Sequence, residues 1–142
     1  MLATAARDVQ AFAAESGVRV EVHEARGRLS ADLDRMMQVL SNLLNNAIKF
    51  SPPGSVVSMS GTPRDGSVAL VVRDSGRGIP ADKLEAIFER FTQVEAGDQS
   101  QKGGAGLGLA ICRAIVSRHR GRIWAESVLG HGSSFHVALP AR

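Results

Sequence analysis

The stretch Asp32–Phe50, DLDRMMQVLSNLLNNAIKF, decides how the rest of the chain is read. Leu33, Met36, Met37, Leu40, Leu43, Leu44 and Ala47 recur at helical spacing and, at about 100° per residue, fill one broad apolar stripe. The same projection puts Gln38, Asn42, Asn45, Asn46 and Lys49 on the opposite side. Solvated helix faces are usually rich in Glu and Lys, and Asn is a mediocre helix former. A stripe of amides closed by an ammonium therefore suits an oxygen-rich ligand. Amide oxygens can ligate a hard cation such as Mg²⁺, and Lys49 can meet a phosphate.

Working outward, Ser30 or Asp32 can cap this helix, and Ser51-Pro52-Pro53-Gly54 stops it. Upstream, residues 2–15 predict a helix with Leu2, Ala5, Ala6, Val9 and Phe12 on one side, ended by Gly17. Val18–His23 alternates as a half-buried strand, with a second extended piece expected near Arg28–Leu29. Downstream, Ser55–Thr62 and Ser67–Asp74 are β-branched runs separated by the turn chemistry of Pro63-Arg64-Asp65-Gly66. Ala81–Glu89 reads as one or two short helices. Thr92–Gly104 lacks periodicity over thirteen residues, a length typical of lids and binding loops. A helix then runs to His119, where Gly121 is expected to take the left-handed stop. Strands at Arg122–Glu126 and Ser134–Leu139 flank Leu129-Gly130-His131-Gly132. This order predicts an α/β two-layer sandwich: a mixed, mostly antiparallel five-stranded sheet with three main helices on one face. The 142 residues are expected to form a single domain.

Composition narrows the function. With 44% hydrophobic and 22% charged residues the chain has an ordinary soluble composition. Its net charge of +3 comes from scattered arginines, with neither a basic arm nor the aromatics that stack on bases. That speaks against nucleic-acid binding. The lone Cys112 excludes an internal disulfide and fits a reducing compartment. No apolar run approaches the ~20 residues of a membrane span.

Two glycine-rich stretches carry the chemistry. Asp74-Ser75-Gly76-Arg77-Gly78-Ile79-Pro80 puts a carboxylate at a strand end, before glycines that permit close ligand approach. A carboxylate only accepts hydrogen bonds, so it favours adenine, which offers an amine, over guanine, by ~1.5–3 kcal/mol. Gly103-Gly104-Ala105-Gly106-Leu107-Gly108 presents bare backbone at a helix start, a phosphate-binding arrangement. It is not a P-loop, since no GxxxxGK[ST] occurs, and it does not follow a strand as a dinucleotide fingerprint would.

NLLNNAIKF, DSGRGIP, IFERF, GGAGLGL and GHGSSF, in that order, resemble the ATP-binding catalytic domain of bacterial sensor histidine kinases. That domain has the Bergerat fold, shared with type II DNA topoisomerases, Hsp90 chaperones and mismatch-repair ATPases. The resemblance implies that Asn46 holds Mg²⁺ on the triphosphate, with Asn42 beside it. It implies that Lys49 contacts phosphate, Phe50 packs near adenine and Asp74 reads adenine. Gly76, Gly78 and Ile79 then shape the pocket, and Arg90, next to Phe91, reaches the γ-phosphate. Residues 92–105, with Lys102, would form a mobile lid whose phosphate-side hinge is Gly104, Gly106 and Gly108, with Ala105 and Leu107 also binding ATP. Ser134 would assist adenine recognition through water. Two departures stand out: Ala105 replaces a threonine common in the lid motif, and Gln93 stands where a second arginine is frequent; position 42 is Asn, not the glutamate that activates water in topoisomerase-type relatives. An amide cannot be a general base, which favours transfer to a nucleophile over hydrolysis.

The resemblance further implies a cytoplasmic, monomeric catalytic domain. It would transfer phosphate to a histidine on a separate dimerisation domain, which this chain lacks, and onward to a response regulator. The parent could be membrane-anchored; this chain is expected to have no membrane contact. A Ser/Thr kinase or anti-sigma regulator on the same scaffold, or a nucleotide-sensing module without transfer, are the alternatives.

Overall fold

A computed structural model describes residues 2–26, 32–76, 78–79, 81–88 and 108–140, without the side chains of Glu24 and Lys83. The expected extended piece at Arg28–Leu29 lies outside these residues. So do Arg90, Phe91, Lys102, Gly104, Ala105, Gly106 and Leu107.

The helix that organises the chain, α3, runs Leu33–Phe50. Asp32 caps it by accepting from the Arg35 amide at 3.2 Å. At its other end Ser51 turns extended before the two prolines. The stripe is broader than its projection: Val39 and Ile48 join Met36, Leu40, Leu43, Leu44 and Ala47 in the core. Leu33 does not, standing 60% exposed in the first turn, ahead of the segment that the sheet covers. Each large side chain so buried contributes ~1.5–3 kcal/mol.

The predicted first helix is two. α1 (Leu2–Asp8) and α2 (Gln10–Ser16) meet at Val9, whose ψ of 4° leaves the helical range. Leu2, Ala5, Ala6, Val9 and Ala13 are all buried, so the break re-aims the apolar side without exposing it. Gly17 ends α2 at φ 71°.

The sheet comprises β1 (Arg19–Ala25), β2 (Val56–Arg64), β3 (Ser67–Asp74), β4 (Arg122–Ser127) and β5 (Ser133–Pro140), in the order β1-β2-β3-β5-β4. Only β1–β2 is parallel. A parallel pair needs a crossover, and α3 supplies it. The β2–β3 hairpin closes at Asp65-Gly66, both at positive φ (47° and 81°), a geometry whose twist matches its strands. Period-two burial puts Val57, Met59, Leu70, Val72, Phe135, Val137 and Leu139 against the helices. The other face carries Ser58, Ala69, Val71, Arg73, Trp124 and His136, all half-buried or exposed.

Residues 81–88 form two 3₁₀ turns, Ala81–Lys83 and Ala86–Phe88. Phe88 packs edge-on to Phe135, with ring centroids 6.3 Å apart. The last helix, α4, is Gly108–Arg118. Its stop departs from expectation: Arg120, not Gly121, takes the left-handed position at φ 62°. Gly121 is required for space, since a Cβ there would lie 2.5 Å from Ala138 O.

Candidate functional site

β3 ends at Asp74, whose Oδ1 accepts the Gly76 amide at 2.8 Å. Burial pushes the Asp74 carboxyl above its ordinary value of 3.8, opposed by the Gly76 and Ser133 backbone amides. A carboxylate held where its charge is costly gains most from a further N–H donor, which is what an adenine amine supplies.

Three close approaches build the turn around it. A Cβ on Gly76 would collide with Phe50 O and stand 3.1 Å from Phe50 C. The turn that carries the carboxylate is thus seated on the last residue of α3. A Cβ on Gly132 would collide with Asp74 O and reach Ser75 Cα at 3.0 Å. One on Gly78 would meet Val128 O at 2.5 Å, against the β4–β5 turn. Ser127 ties the set together, accepting the Ile79 amide at 2.7 Å and donating to Gly132 O at 2.7 Å. Sequence reading missed Ser127, because a serine at a strand end carries no signal of what its hydroxyl will meet. Ile79 is buried.

On α3 the amide stripe is half-buried rather than solvated: Asn42, Asn45, Asn46 and Lys49 all lie in the intermediate range, and only Gln38 is exposed. Among the described residues no side-chain hydrogen bond engages Asn46. A half-buried amide left with unused acceptor capacity fits a hard cation. Asn42 is differently engaged: its Nδ2 donates to Gly108 O at 3.4 Å, tying α3 to the first residue of α4. Thus Asn46, Lys49 and Phe50 lie along one helix whose end touches the Asp74 turn, and Asn42 links that helix to Gly108.

Antiparallel register sets Ser133 opposite Asp74, and Ser134 opposite Arg73 on the other face of the sheet. Successive strand residues face opposite sides, so Ser133 shares the face of Asp74 and its backbone amide donates to that carboxyl, while Ser134 shares the face of Arg73. A cavity of about 300 Å³ adjoins this end of the sheet, with Arg73, Asp74, Glu126, Ser133 and Ser134 among its walls. Asn46 and Lys49 do not line it, and three of its side chains belong to the uncovered face. It opens at the end of the sheet, between the β3 end and the β4–β5 turn.

Residues 31–142 match the family described as Histidine kinase-, DNA gyrase B-, and HSP90-like ATPase. The adaptive-response sensory kinase SasA of Synechococcus elongatus is 46% identical over 113 residues, 79% of this chain and 29% of that protein. The sensor protein SrrB of Staphylococcus aureus is 40% identical over 111 residues, 78% of this chain and 19% of that protein. The chain therefore spans less than a third of either relative. Among solved structures, the mycobacterial sensor histidine kinase MprB superposes with a TM-score of 0.84 at 28% identity, covering 99% of this chain and 95% of that one. Full-length ShkA in complex with AMPPNP gives 0.86 at 31% identity, covering 99% of this chain and 29% of that one.

Proposed function

Because the chain belongs to the histidine kinase-, DNA gyrase B- and HSP90-like ATPase family, an ATP-binding fold, we propose that it is the catalytic domain of a two-component sensor histidine kinase. In this reading it binds Mg·ATP and passes the γ-phosphate to a histidine on a separate dimerisation domain, for relay to a response regulator. The observation that carries the proposal is the seating of Gly76 on Phe50. It joins an adenine-reading carboxylate to a helix of amides and a lysine, one for each end of a nucleotide.

Asp74 accepts the adenine amine, and Gly76 and Gly78 keep side chains out of its way. Asn46 and Lys49 hold the phosphate end. Mg²⁺, when bound at Asn46, neutralises phosphate charge. Arg90 and Lys102 would add to that neutralisation. Transfer is then positioning plus electrostatics. A neutral imidazole nitrogen attacks the γ-phosphorus, an N–P bond forms, the bridging P–O bond breaks, and ADP leaves. Asn42 cannot take a proton from water, which disfavours hydrolysis. Three of the four described histidines are engaged: His119 is hydrogen-bonded on both nitrogens, His136 lies stacked on Trp124, and His23 meets Glu21.

The test is incubation with γ-labelled ATP, with and without a histidine-bearing dimerisation domain from the same parent. Acid-labile label on the added domain alone is expected. Strong labelling of this chain by itself, or an acid-stable product, would overturn the reading.

A further inference from the structure

The sheet face turned away from the helices has its own chemistry. Trp124 and His136, paired across β4 and β5, stack at 5.2 Å and 6°. Arg122 lies over the outer indole face at 5.0 Å. Arg73 begins the same face at the end of β3, and Arg64 closes it at the end of β2. Among the described residues none of these three guanidinium groups has a carboxylate partner, and all three arginines are exposed. On the β3, β5 and β4 strands the described carboxylate of this face is Glu126, which sits 3.5 Å from His136 Nε2 without making a hydrogen bond; on β1, Glu21 stands across Ser58 from Arg73 and is engaged by Arg19 and His23. Between the arginines the floor is short and partly apolar: Ala69, Val71 and Ala138 are half-buried. The recess beside Arg73 and Ser134 opens at one end.

We propose that this face is a docking surface for an acidic, partly apolar segment of another protein. Charge complementarity selects the occupant. Three unpaired arginines frame a strip that no described helix covers, and a second copy of a chain with net charge +3 would be repelled. The apolar floor and the indole favour side chains over phosphates, and the arginines form a frame rather than the continuous track that nucleic acid needs. By the strand register Arg73 and Arg64 stand three side-chain rungs apart, ~20 Å, which an extended segment of about six residues spans. Arg122, stacked on Trp124, is pre-organised for a carboxylate and shields the aromatic anchor on the edge strand β4.

The chain has a single tryptophan and no tyrosine, so intrinsic fluorescence reads this face directly. The whole chain is titrated with a soluble peptide rich in glutamate and leucine, and with its lysine counterpart. A saturable shift of Trp124 emission with the acidic peptide only is expected. In the Arg64→Glu/Arg122→Glu double variant, half-saturation should rise at least tenfold while AMPPNP affinity is unchanged. Raising salt from 50 to 500 mM should weaken the wild-type response at least tenfold, an independent check if the variant misfolds. No saturable shift, an equal response to the lysine peptide, or tighter binding of a single-stranded oligonucleotide or anionic vesicles would overturn the proposal.

Discussion

Gly76 and Phe50 approach so closely that no side chain fits between them: an added Cβ would also press on Asp74 Oδ1 at 3.0 Å. The turn bearing the carboxylate is therefore set by the end of the amide helix. Gly76→Ala should push the turn away from α3 and weaken AMPPNP binding at least tenfold. Thermal stability should fall by the ~1–3 kcal/mol typical of overpacking. Isothermal titration beside a melting curve checks both, and unchanged affinity would uncouple the two elements.

Asp74→Asn separates stability from function. The folded pKa is raised, so the charge is a penalty on the fold above that pKa, relieved as pH falls through it toward the ordinary 3.8. Removing the charge should leave the ligand-free melting temperature at pH 7 unchanged or higher, while Oδ1 can still accept from Gly76. Adenine binding should weaken by ~1.5–3 kcal/mol, roughly 10- to 150-fold. As pH is lowered the stability difference between variant and wild type should vanish. A variant that is less stable at pH 7 and binds normally would remove the adenine assignment.

Asn42 and Asn46 should behave differently although they are one turn apart. Asn46→Asp adds a charge where an amide is free, so it should change the preference between Mg²⁺ and Mn²⁺ and reduce transfer by ~10²-fold. Asn42→Ala removes the bond to Gly108 O and should loosen the start of α4. Faster amide exchange in its first turn, with metal preference unaltered, is the expected signature. Equal metal effects in both variants would contradict this division.

His119 was legible only as a helix-end residue, yet it joins two helices. Its Nδ1 donates to Ile115 O at 2.8 Å, so Nε2 is free to accept the Asp32 amide at 3.2 Å. That bond ties the C-terminal end of α4 to the cap of α3. His119→Phe should cost about 1–2 kcal/mol, the loss of two side-chain hydrogen bonds, one of which leaves the Asp32 amide to solvent, without changing AMPPNP affinity. Urea denaturation checks the first part and titration the second.

What the sequence disclosed follows from periodicity. The bounds of α3 and β3, the Asp65-Gly66 turn and the mixed sheet rest on spacing and turn chemistry that neighbours do not override. What it concealed depends on tertiary contact. Nothing local marks the break at Val9, and strand alternation alone cannot tell Ser133 from Ser134 without the partner register. Arg120 takes the left-handed conformation, and Gly121 beside it is needed for its lack of a side chain. Within the candidate site, the residue types and spacing at Asp74 and Asn46 stand out in the sequence. The contact between Gly76 and Phe50, and the Ser127 brace, do not, since each is a meeting of segments far apart in the chain.

Cys112 offers a measurement of how α4 is held on α3. Its thiol is fully buried and donates to Val39 O at 3.7 Å, and burial pushes its pKa up from 9.0 to about 12. The unfolded thiol ionises near 9 and the folded one does not, so between pH 9 and about 12 the unfolded state loses a proton that the folded state keeps. Stability should therefore fall as pH rises across that window, by about 1.4 kcal/mol per unit from this group. Cys112→Ala lacks the slope, so the difference between its pH profile and that of wild type isolates the thiol from lysine titration. Thiol reagents should label native protein only at the opening rate, accelerating in urea together with loss of helical signal. Rapid labelling in the absence of denaturant, or parallel pH profiles for the two proteins, would show that the α3–α4 interface is open to solvent.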